Sequence, residues 1–174
     1  MEEQTIRYPI YMDHHATTPT DPRVVAQMLP FFTETYGNAA SVDHEHGLLA
    51  SRAVDQARSK IARLIGSKPE EIIFTSGATE SDNLALIGVA ERYVDRGRHI
   101  ITSQTEHKAV IDTCHYLESR GWSVTYVPVN HEGLVDPEDI RKAITPETVL
   151  ISIMAANNET GVLGPIGAIG AIAH

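Results

Sequence analysis

The second half of the chain alternates between short apolar runs and longer amphipathic stretches. The apolar runs have the length of β-strands, and they cover residues 70–74, 99–103, 123–129 and 148–154. In the stretches between them, apolar residues recur every three or four positions, as they do in α-helices. Strands and helices that alternate at this spacing form βαβ units, whose parallel sheets carry helices on both faces. We therefore predict an α/β fold of three layers, α/β/α, with a mostly parallel sheet.

Several helix ends are marked by the residues that typically occupy them. Asp136 and Pro137 suit the N-cap and the first position of a helix. Gly97 and Gly121 suit the ends of two other helices. Two more helical patterns precede the sheet, at residues 21–37 and 46–66. The chain closes on the Gly-rich stretch GVLGPIGAIGAIAH, which predicts a turn followed by the start of an apolar helix.

The predicted last helix is apolar, and this bears on whether the polypeptide continues beyond it. It has no cap and no polar tail in the sequence. An apolar helix of this kind is normally covered, so we expect that the polypeptide continues or that another chain packs on it. A simple frayed C-terminus is the alternative.

The composition and net charge of the chain argue against several classes of function. The 174 residues are 42% hydrophobic and carry a net charge of −9, which argues against a nucleic-acid interface built from clustered Lys and Arg. Cys114 is the only cysteine, so an internal disulfide is excluded and a reducing compartment is the simplest interpretation. The sequence shows neither a secretory signal nor an apolar run long enough to span a bilayer. We expect a cytoplasmic protein that binds neither nucleic acid nor membrane directly.

The stretch FTSGATESDN, residues 74–83, places a Gly and several hydroxyls where a predicted strand becomes a helix. A helix that begins there presents unpaired N–H groups and the positive end of its dipole. Gly77 allows close backbone approach, Ala78 is small, and Thr79 adds an amide and a hydroxyl. This set suits a phosphate group. The alternative is an ordinary cap by Ser76 or Thr79, and this stretch alone favours the cap.

Four other polar stretches accompany that junction. They are MDHHATTP, YGNAAS, TEHKAV and MAANNETG, at residues 12–19, 36–41, 105–110 and 154–161. In the last two, His107 begins a helix after one predicted strand, and Asn157 and Asn158 follow another. Because the carboxyl ends of parallel strands meet at one edge of a sheet, we expect three of these polar groups to converge there and form an active site.

These five stretches, in this order, resemble the NifS/IscS-type cysteine desulfurases of the class V aminotransferase family, from Tyr11 to about His174. The resemblance implies the type I fold of pyridoxal-phosphate enzymes. Residues 1–20 would lie near a small domain and the site entrance, and residues 21–174 would form the N-terminal part of the cofactor-binding large domain. It also implies conversion of L-cysteine to L-alanine, with the sulfur passed to an enzyme cysteine as a persulfide for iron–sulfur cluster assembly or thiolation.

The resemblance assigns roles to four residues. Ala78 and Thr79 match the cup for the phosphate of pyridoxal 5'-phosphate. His107 matches the catalytic histidine that stacks on the pyridine ring and transfers protons, whereas a helix start by itself indicates only a cap. Asn158 matches an asparagine that hydrogen-bonds near the phenolic oxygen of the cofactor and the substrate carboxylate. The residues on either side of Asn158 are expected to be structural, since the stretch also suits a turn.

The rest of the family's catalytic set is not in this sequence. No Ser-x-His motif precedes a lysine that could carry the cofactor. The pyridine-binding aspartate, the substrate-binding arginine and the mobile thiol loop lie further along in family members. Lys108 points about 100° away from its neighbour His107 on a helix, and Cys114 shares an apolar face with Val110, so neither is assigned a catalytic part.

We therefore expect this chain to supply the N-terminal part of a desulfurase. By itself it should bind pyridoxal phosphate weakly and turn nothing over. Activity should need the C-terminal part, on the same or a separate chain. Family members also work as homodimers and deliver sulfur to an acceptor or scaffold protein, so we expect the same partners here.

Three alternatives stay open at this point. One is a different class V enzyme, such as an aminotransferase or a selenocysteine lyase, because a fold does not fix a reaction. Another is a metal site, since the nine histidines include His14, His15, His44 and His46, although no C-x-x-C or H-E-x-x-H motif occurs. The third is a non-catalytic interaction module that binds a partner through its apolar end.

Overall fold

The computed structural model describes residues 9–174. The chain divides into two compact units, one up to Phe74 and one from Thr75 onward. The helices are α1 Pro22–Thr33, α2 Glu45–Ile65, α3 Ala78–Tyr93, α4 Lys108–Ser119, α5 Pro137–Ala143 and α6 Ile166–Ala173. The strands are β1 His99–Ser103, β2 Ser123–Val127 and β3 Thr148–Ser152. The domain boundary predicted at residue 20 stays a prediction.

In the first unit, the two helices predicted ahead of the sheet are confirmed. Asp21 caps α1, because its carboxylate accepts a hydrogen bond of 2.8 Å from the Arg23 amide. His44 caps α2, because its Nδ1 accepts a hydrogen bond of 3.1 Å from the Gly47 amide. α2 ends at Gly66, which takes the left-handed conformation with a φ of 72° that glycine adopts most easily.

The strand predicted over residues 70–74 is wrong. Pro69–Glu71 form a 3-10 turn, in which the Glu71 carboxylate accepts the Lys68 amide at 2.7 Å. Ile72 continues with extended backbone, but no strand in the described part of the chain pairs with it. The apolar run suits a strand in composition, yet a strand forms only where a neighbour takes up its backbone hydrogen bonds. The predicted four strands therefore become three within residues 9–174.

In the second unit, the strands form a parallel sheet in the order β2-β1-β3, with β1 at the centre. β1 pairs with β2 from His99 opposite Ser123 to Ser103 opposite Val127. All of β1 is buried, as expected for a central strand that is covered on both faces. β1 has the predicted bounds, whereas β2 and β3 end before the predicted positions 129 and 154.

Alternate residues of β1 enter two separate cores, because successive side chains of a strand point to opposite faces. Ile100 packs on one face with residues of α3, α4 and the segment after α4, namely Leu86, Ala90, Val110, Cys114, Leu117 and Trp122. Ile101 packs on the other face with Val127, Val135, Ile140 of α5 and Ile169 of α6. Helices thus cover both faces of the sheet, and the predicted three-layer α/β/α arrangement is confirmed for this unit.

A buried histidine at the amino end of β1 joins all three strands. His99 is only 6% exposed, and its Nδ1 and Nε2 lie 2.7 Å and 2.8 Å from the hydroxyls of Thr148 on β3 and Thr125 on β2. Burial lowers the pKa of His99, and the negative charge of Glu147 opposes that shift. The neutral imidazole therefore acts as a cross-strand hydrogen-bonding group at the edge of the sheet away from the candidate site.

The C-terminal stretch follows the predicted pattern of a turn and then a helix. α6 begins after Pro165, and its Ile169 is buried in the second of the two cores. Within residues 9–174, none of the helices has both the length and the apolarity that crossing a membrane would need.

Candidate active site

The segments that follow β1 and β3 are tied to each other at the carboxyl edge of the sheet. The Glu106 carboxylate accepts a hydrogen bond of 2.6 Å from the Met154 amide. The Asn157 side-chain amide donates to the Thr105 carbonyl at 3.0 Å. Each contact joins the turn before α4 to the turn after β3. The expected meeting of these two polar stretches is confirmed by these hydrogen bonds.

The start of α3 lies beside the start of α4. α3 leads into the amino end of β1 and α4 leaves its carboxyl end, so both helices begin at the carboxyl edge of the sheet. The Thr113 hydroxyl of α4 donates to the Asn83 side-chain carbonyl of α3, in the second turn of each helix. Asp82 is also close enough for its charge to raise the pKa of Glu106. Three polar stretches therefore converge within the second unit.

The first turn of α3 has no side-chain cap. Gly77 is the N-cap residue, and neither Ser76 nor Thr79 closes the helix, so the capping alternative is wrong. The Ser76 amide and hydroxyl instead both donate to the Glu80 carboxylate at 2.6 Å, which lowers the pKa of Glu80. A Cβ built on Gly77 would meet no atom within 4 Å. Ala78 and Thr79 are both exposed residues, so a ligand can approach the first turn of α3, as an anion site requires.

His107 is the N-cap of α4 and also stands at the candidate site. Its Nδ1 accepts a hydrogen bond of 3.1 Å from the Ala109 amide. In the neutral imidazole this leaves the proton on Nε2, which becomes the donor of the ring. The residue is exposed, so Nε2 can reach a ligand. The two interpretations from the sequence, cap and site residue, are thus compatible, since each uses a different ring nitrogen.

The turn after β3 is organised by Asn157 rather than by Asn158. Asn157 is 9% exposed, and its Oδ1 accepts the amides of Glu159 and Thr160, each at 2.9 Å. Asn158 is half-buried, and its side-chain amide donates to the Glu159 carboxylate at 3.0 Å. Asn157 therefore has the structural part expected of it, and it presents Asn158 from the turn.

Glu106 is the residue at this edge that the sequence analysis missed. Burial raises the pKa of its carboxyl, the hydrogen bond from the Met154 amide lowers it, and nearby Asp82 raises it further. The sequence did offer a signal, because Glu106 directly precedes His107 in TEHKAV and an acidic residue is unusual next to a buried strand end.

The buried place expected of Cys114 agrees with the structure, whereas the assignment of Lys108 stays a prediction. Cys114 is fully buried in the first core, and burial raises the pKa of its thiol to about 11. Its thiolate is therefore scarce at neutral pH, and a buried thiol of this kind is unreactive. Lys108 is the first residue of α4 and is exposed. Among residues 9–174, no group of three or more His, Cys, Asp or Glu is placed to hold a metal ion.

Comparison with known proteins relates the chain to one protein family. Residues 10–174 match the family described as aminotransferase class-V. The cysteine desulfurase IscS of Anaeromyxobacter sp. (strain K) is 54% identical over 169 residues, which are 97% of this chain and 42% of that protein. The cysteine desulfurase IscS of Rickettsia akari (strain Hartford) is 55% identical over 94% of this chain and 40% of that protein. The chain thus spans about two fifths of the length of these curated relatives.

Solved structures agree with this likeness. A NifS-like protein superposes with a TM-score of 0.89 at 45% identity, over 94% of this chain and 44% of that one. A structure described as SspA in complex with cysteine superposes with a TM-score of 0.87 at 41% identity, over 94% of this chain and 47% of that one. The uncapped helix start, the histidine before α4 and the asparagine turn after β3 therefore lie on a fold shared with these proteins. On the sequence match over residues 10–174, the chain belongs to the class-V aminotransferase family.

Proposed function

We propose that this chain supplies the N-terminal part of a pyridoxal-phosphate-dependent cysteine desulfurase. The observation that carries the proposal is the uncapped start of α3 beside the hydrogen-bonded turns that hold His107 and Asn158. The relatives named above are cysteine desulfurases, and one structural neighbour was solved with cysteine bound. Together they favour L-cysteine as the substrate over the amino acids that other class V enzymes use.

The residues present fit the cofactor. The amides at Ala78 and Thr79 are free of side-chain caps and stand at the positive end of the α3 dipole, so they would hold the phosphate. His107 offers a flat ring whose Nε2 carries the donor proton, which suits stacking and proton transfer. Asn158 offers a neutral amide that orients polar atoms of the cofactor and substrate without adding charge.

Bound pyridoxal phosphate would act as the electron sink that weakens bonds around the substrate carbon. This chain's part in the reaction is to hold the phosphate, to orient the ring and to move a proton at His107 Nε2. The thiol that accepts sulfur is not Cys114, because that group is fully buried in an apolar core. We infer that the sulfur-accepting cysteine, the cofactor-bearing lysine and the sulfur acceptor protein come from outside these residues, and that a homodimer is the working form.

Native isolation of the protein tests the proposal directly. We expect a yellow preparation in which this sequence occurs together with the C-terminal part of the enzyme, and which releases alanine from L-cysteine. The purified 174-residue chain should release none, even with added pyridoxal phosphate. Other amino acids and L-selenocysteine serve as competing substrates in the same assay. A colourless native preparation without alanine production, or faster turnover of another substrate, would contradict the proposed function.

A further inference from the structure

Two residues that the proposed function does not use make the contacts between the turns at the site. Glu106 reaches from the turn before α4 to the Met154 amide at 2.6 Å, and Asn157 reaches from the turn after β3 to the Thr105 carbonyl at 3.0 Å. The two side chains reach across in opposite directions, while both donors, the Met154 amide and the Asn157 side-chain amide, belong to the segment after β3. A pair of such contacts restricts both the separation and the relative rotation of the segments, which one contact would not do.

Asn157 is also anchored in its own turn. Asn157 fills its hydrogen-bonding capacity, since its Oδ1 accepts from the amides of Glu159 and Thr160 and its amide group also contacts the Met154 sulfur at 3.3 Å. The Asn157 backbone carbonyl accepts the Gly161 amide at 2.8 Å, and its backbone amide donates to the Val162 carbonyl at 2.8 Å. These hydrogen bonds make the turn rigid, so a displacement of Asn157 would displace Asn158 as well.

We propose that Glu106 and Asn157 form a clamp that sets the position of His107 relative to Asn158 before any ligand binds. This inference rests on the proposed function, because it concerns the same cofactor site. Both members are positioning residues, since each acts through the residue next to it in sequence. Preorganisation of this kind removes an ordering cost that would otherwise weaken binding.

The contact made by Glu106 needs length and an acceptor oxygen rather than a charge. Its side chain is partly buried, and burial together with nearby Asp82 raises the pKa of its carboxyl. An uncharged amide of the same length offers the same carbonyl acceptor to the Met154 amide. A shorter carboxylate keeps the charge but cannot span the same distance. Glu106→Gln and Glu106→Asp therefore separate the hydrogen bond from the charge.

The experiment compares Glu106→Ala, Glu106→Gln and Glu106→Asp in the 174-residue chain, with Glu91→Ala as the matched control. Glu91 is an exposed glutamate of α3 without a part in the site. Amide hydrogen exchange is measured without cofactor at Met154, across residues 157–161 and in the first turn of α4. We expect exchange at these amides to speed up about tenfold in Glu106→Ala and Glu106→Asp, the size expected for one lost hydrogen bond. Glu106→Gln and Glu91→Ala should match the wild-type chain.

Three further readouts separate positioning from a general loss of stability. The thermal midpoint of Glu106→Ala should lie below that of Glu106→Gln by no more than about 3–6 °C, the shift that one hydrogen bond accounts for in a chain of this size. The NMR signal of the His107 Cε1–H should broaden in Glu106→Ala and Glu106→Asp but not in Glu106→Gln. Fluorescence titration with pyridoxal phosphate should give roughly tenfold weaker binding for Glu106→Ala. If Glu106→Ala does not fold, Glu106→Asp replaces it in every comparison.

The outcomes distinguish this inference from the proposed function. Wild-type exchange at Met154 in both Glu106→Ala and Glu106→Asp, or failure of Glu106→Gln to restore the wild-type pattern, would overturn the clamp. If no variant and no wild-type chain bound pyridoxal phosphate, the proposed function would lose its support, while the exchange data obtained without cofactor would still decide whether the clamp exists.

Discussion

Replacement of His99 by Ala tests the role of the buried imidazole in the sheet. The side chain bridges the hydroxyls of Thr148 and Thr125 at 2.7 Å and 2.8 Å, so it joins both outer strands to β1. Its removal leaves two partly buried hydroxyls without this partner and opens a cavity between them. An unsatisfied buried polar group costs about 1–3 kcal/mol. Some relief is available, because Thr148 also accepts the Thr145 amide at 2.8 Å, so we expect a total loss of about 2–4 kcal/mol.

The measurement is urea unfolding of His99→Ala and of His131→Ala, the control, at pH 7. The His131 side chain is 89% exposed, so its removal should change the unfolding free energy by less than about 0.5 kcal/mol. Circular dichroism and tryptophan fluorescence both report the transition, and Trp122 lies at the edge of the first core. A loss for His99→Ala no larger than that of the control would refute the bridging role.

The same histidine predicts how stability depends on pH. Burial lowers the pKa of His99 in the folded chain, so below about pH 6.5 the unfolded chain binds a proton more readily than the folded chain does. The contribution of His99 to stability is therefore complete above about pH 6.5 and is lost as the pH falls through the lower, folded-state pKa. His99→Gln should flatten this part of the profile relative to wild type. An equally steep decline in His99→Gln would show that other groups cause it.

Three further predictions concern packing, reactivity and capping. Gly97→Ala should destabilise the chain by more than about 2 kcal/mol in thermal melts, because a Cβ there would lie 2.2 Å from the Glu147 carbonyl oxygen. Gly88→Ala in α3 is the control: a Cβ there has no neighbour within 4 Å, so this change should stabilise the chain by about 0.5–1 kcal/mol. Cys114 should resist a thiol reagent at pH 8 in the folded chain and react fully in urea, because burial raises the pKa of its thiol to about 11. Rapid reaction of the folded chain would contradict the buried, unreactive thiol. Asp136 caps α5 by accepting a hydrogen bond of 2.9 Å from the Glu138 amide. Asp136→Ala should therefore lower the unfolding free energy by about 1 kcal/mol, and Asp136→Asn should keep most of that stability.

The local elements of this chain were readable from its residues. Asp136 and Pro137 marked the start of α5, Gly121 follows α4 with a φ of 86°, and the bounds of β1 were predicted as found. These features depend on interactions within a few residues, such as a side chain that accepts a nearby amide or a glycine that tolerates positive φ. The order of polar motifs likewise pointed to the family, because motifs are properties of the sequence itself.

Features that join distant segments were decided only by the tertiary structure. The apolar run at 70–74 has strand composition but finds no partner strand in the described residues, and pairing cannot be read from one segment alone. The hydrogen bonds of Glu106 to Met154 and of Asn157 to Thr105 cross 48 and 52 positions of sequence, and those of His99 to its two threonines cross 26 and 49. The sequence by itself determined which helices form and which chemical groups are present. The packing of β1 between its neighbours decided which of those groups meet, because hydrogen bonds form between atoms that are close in space, whatever their separation along the chain.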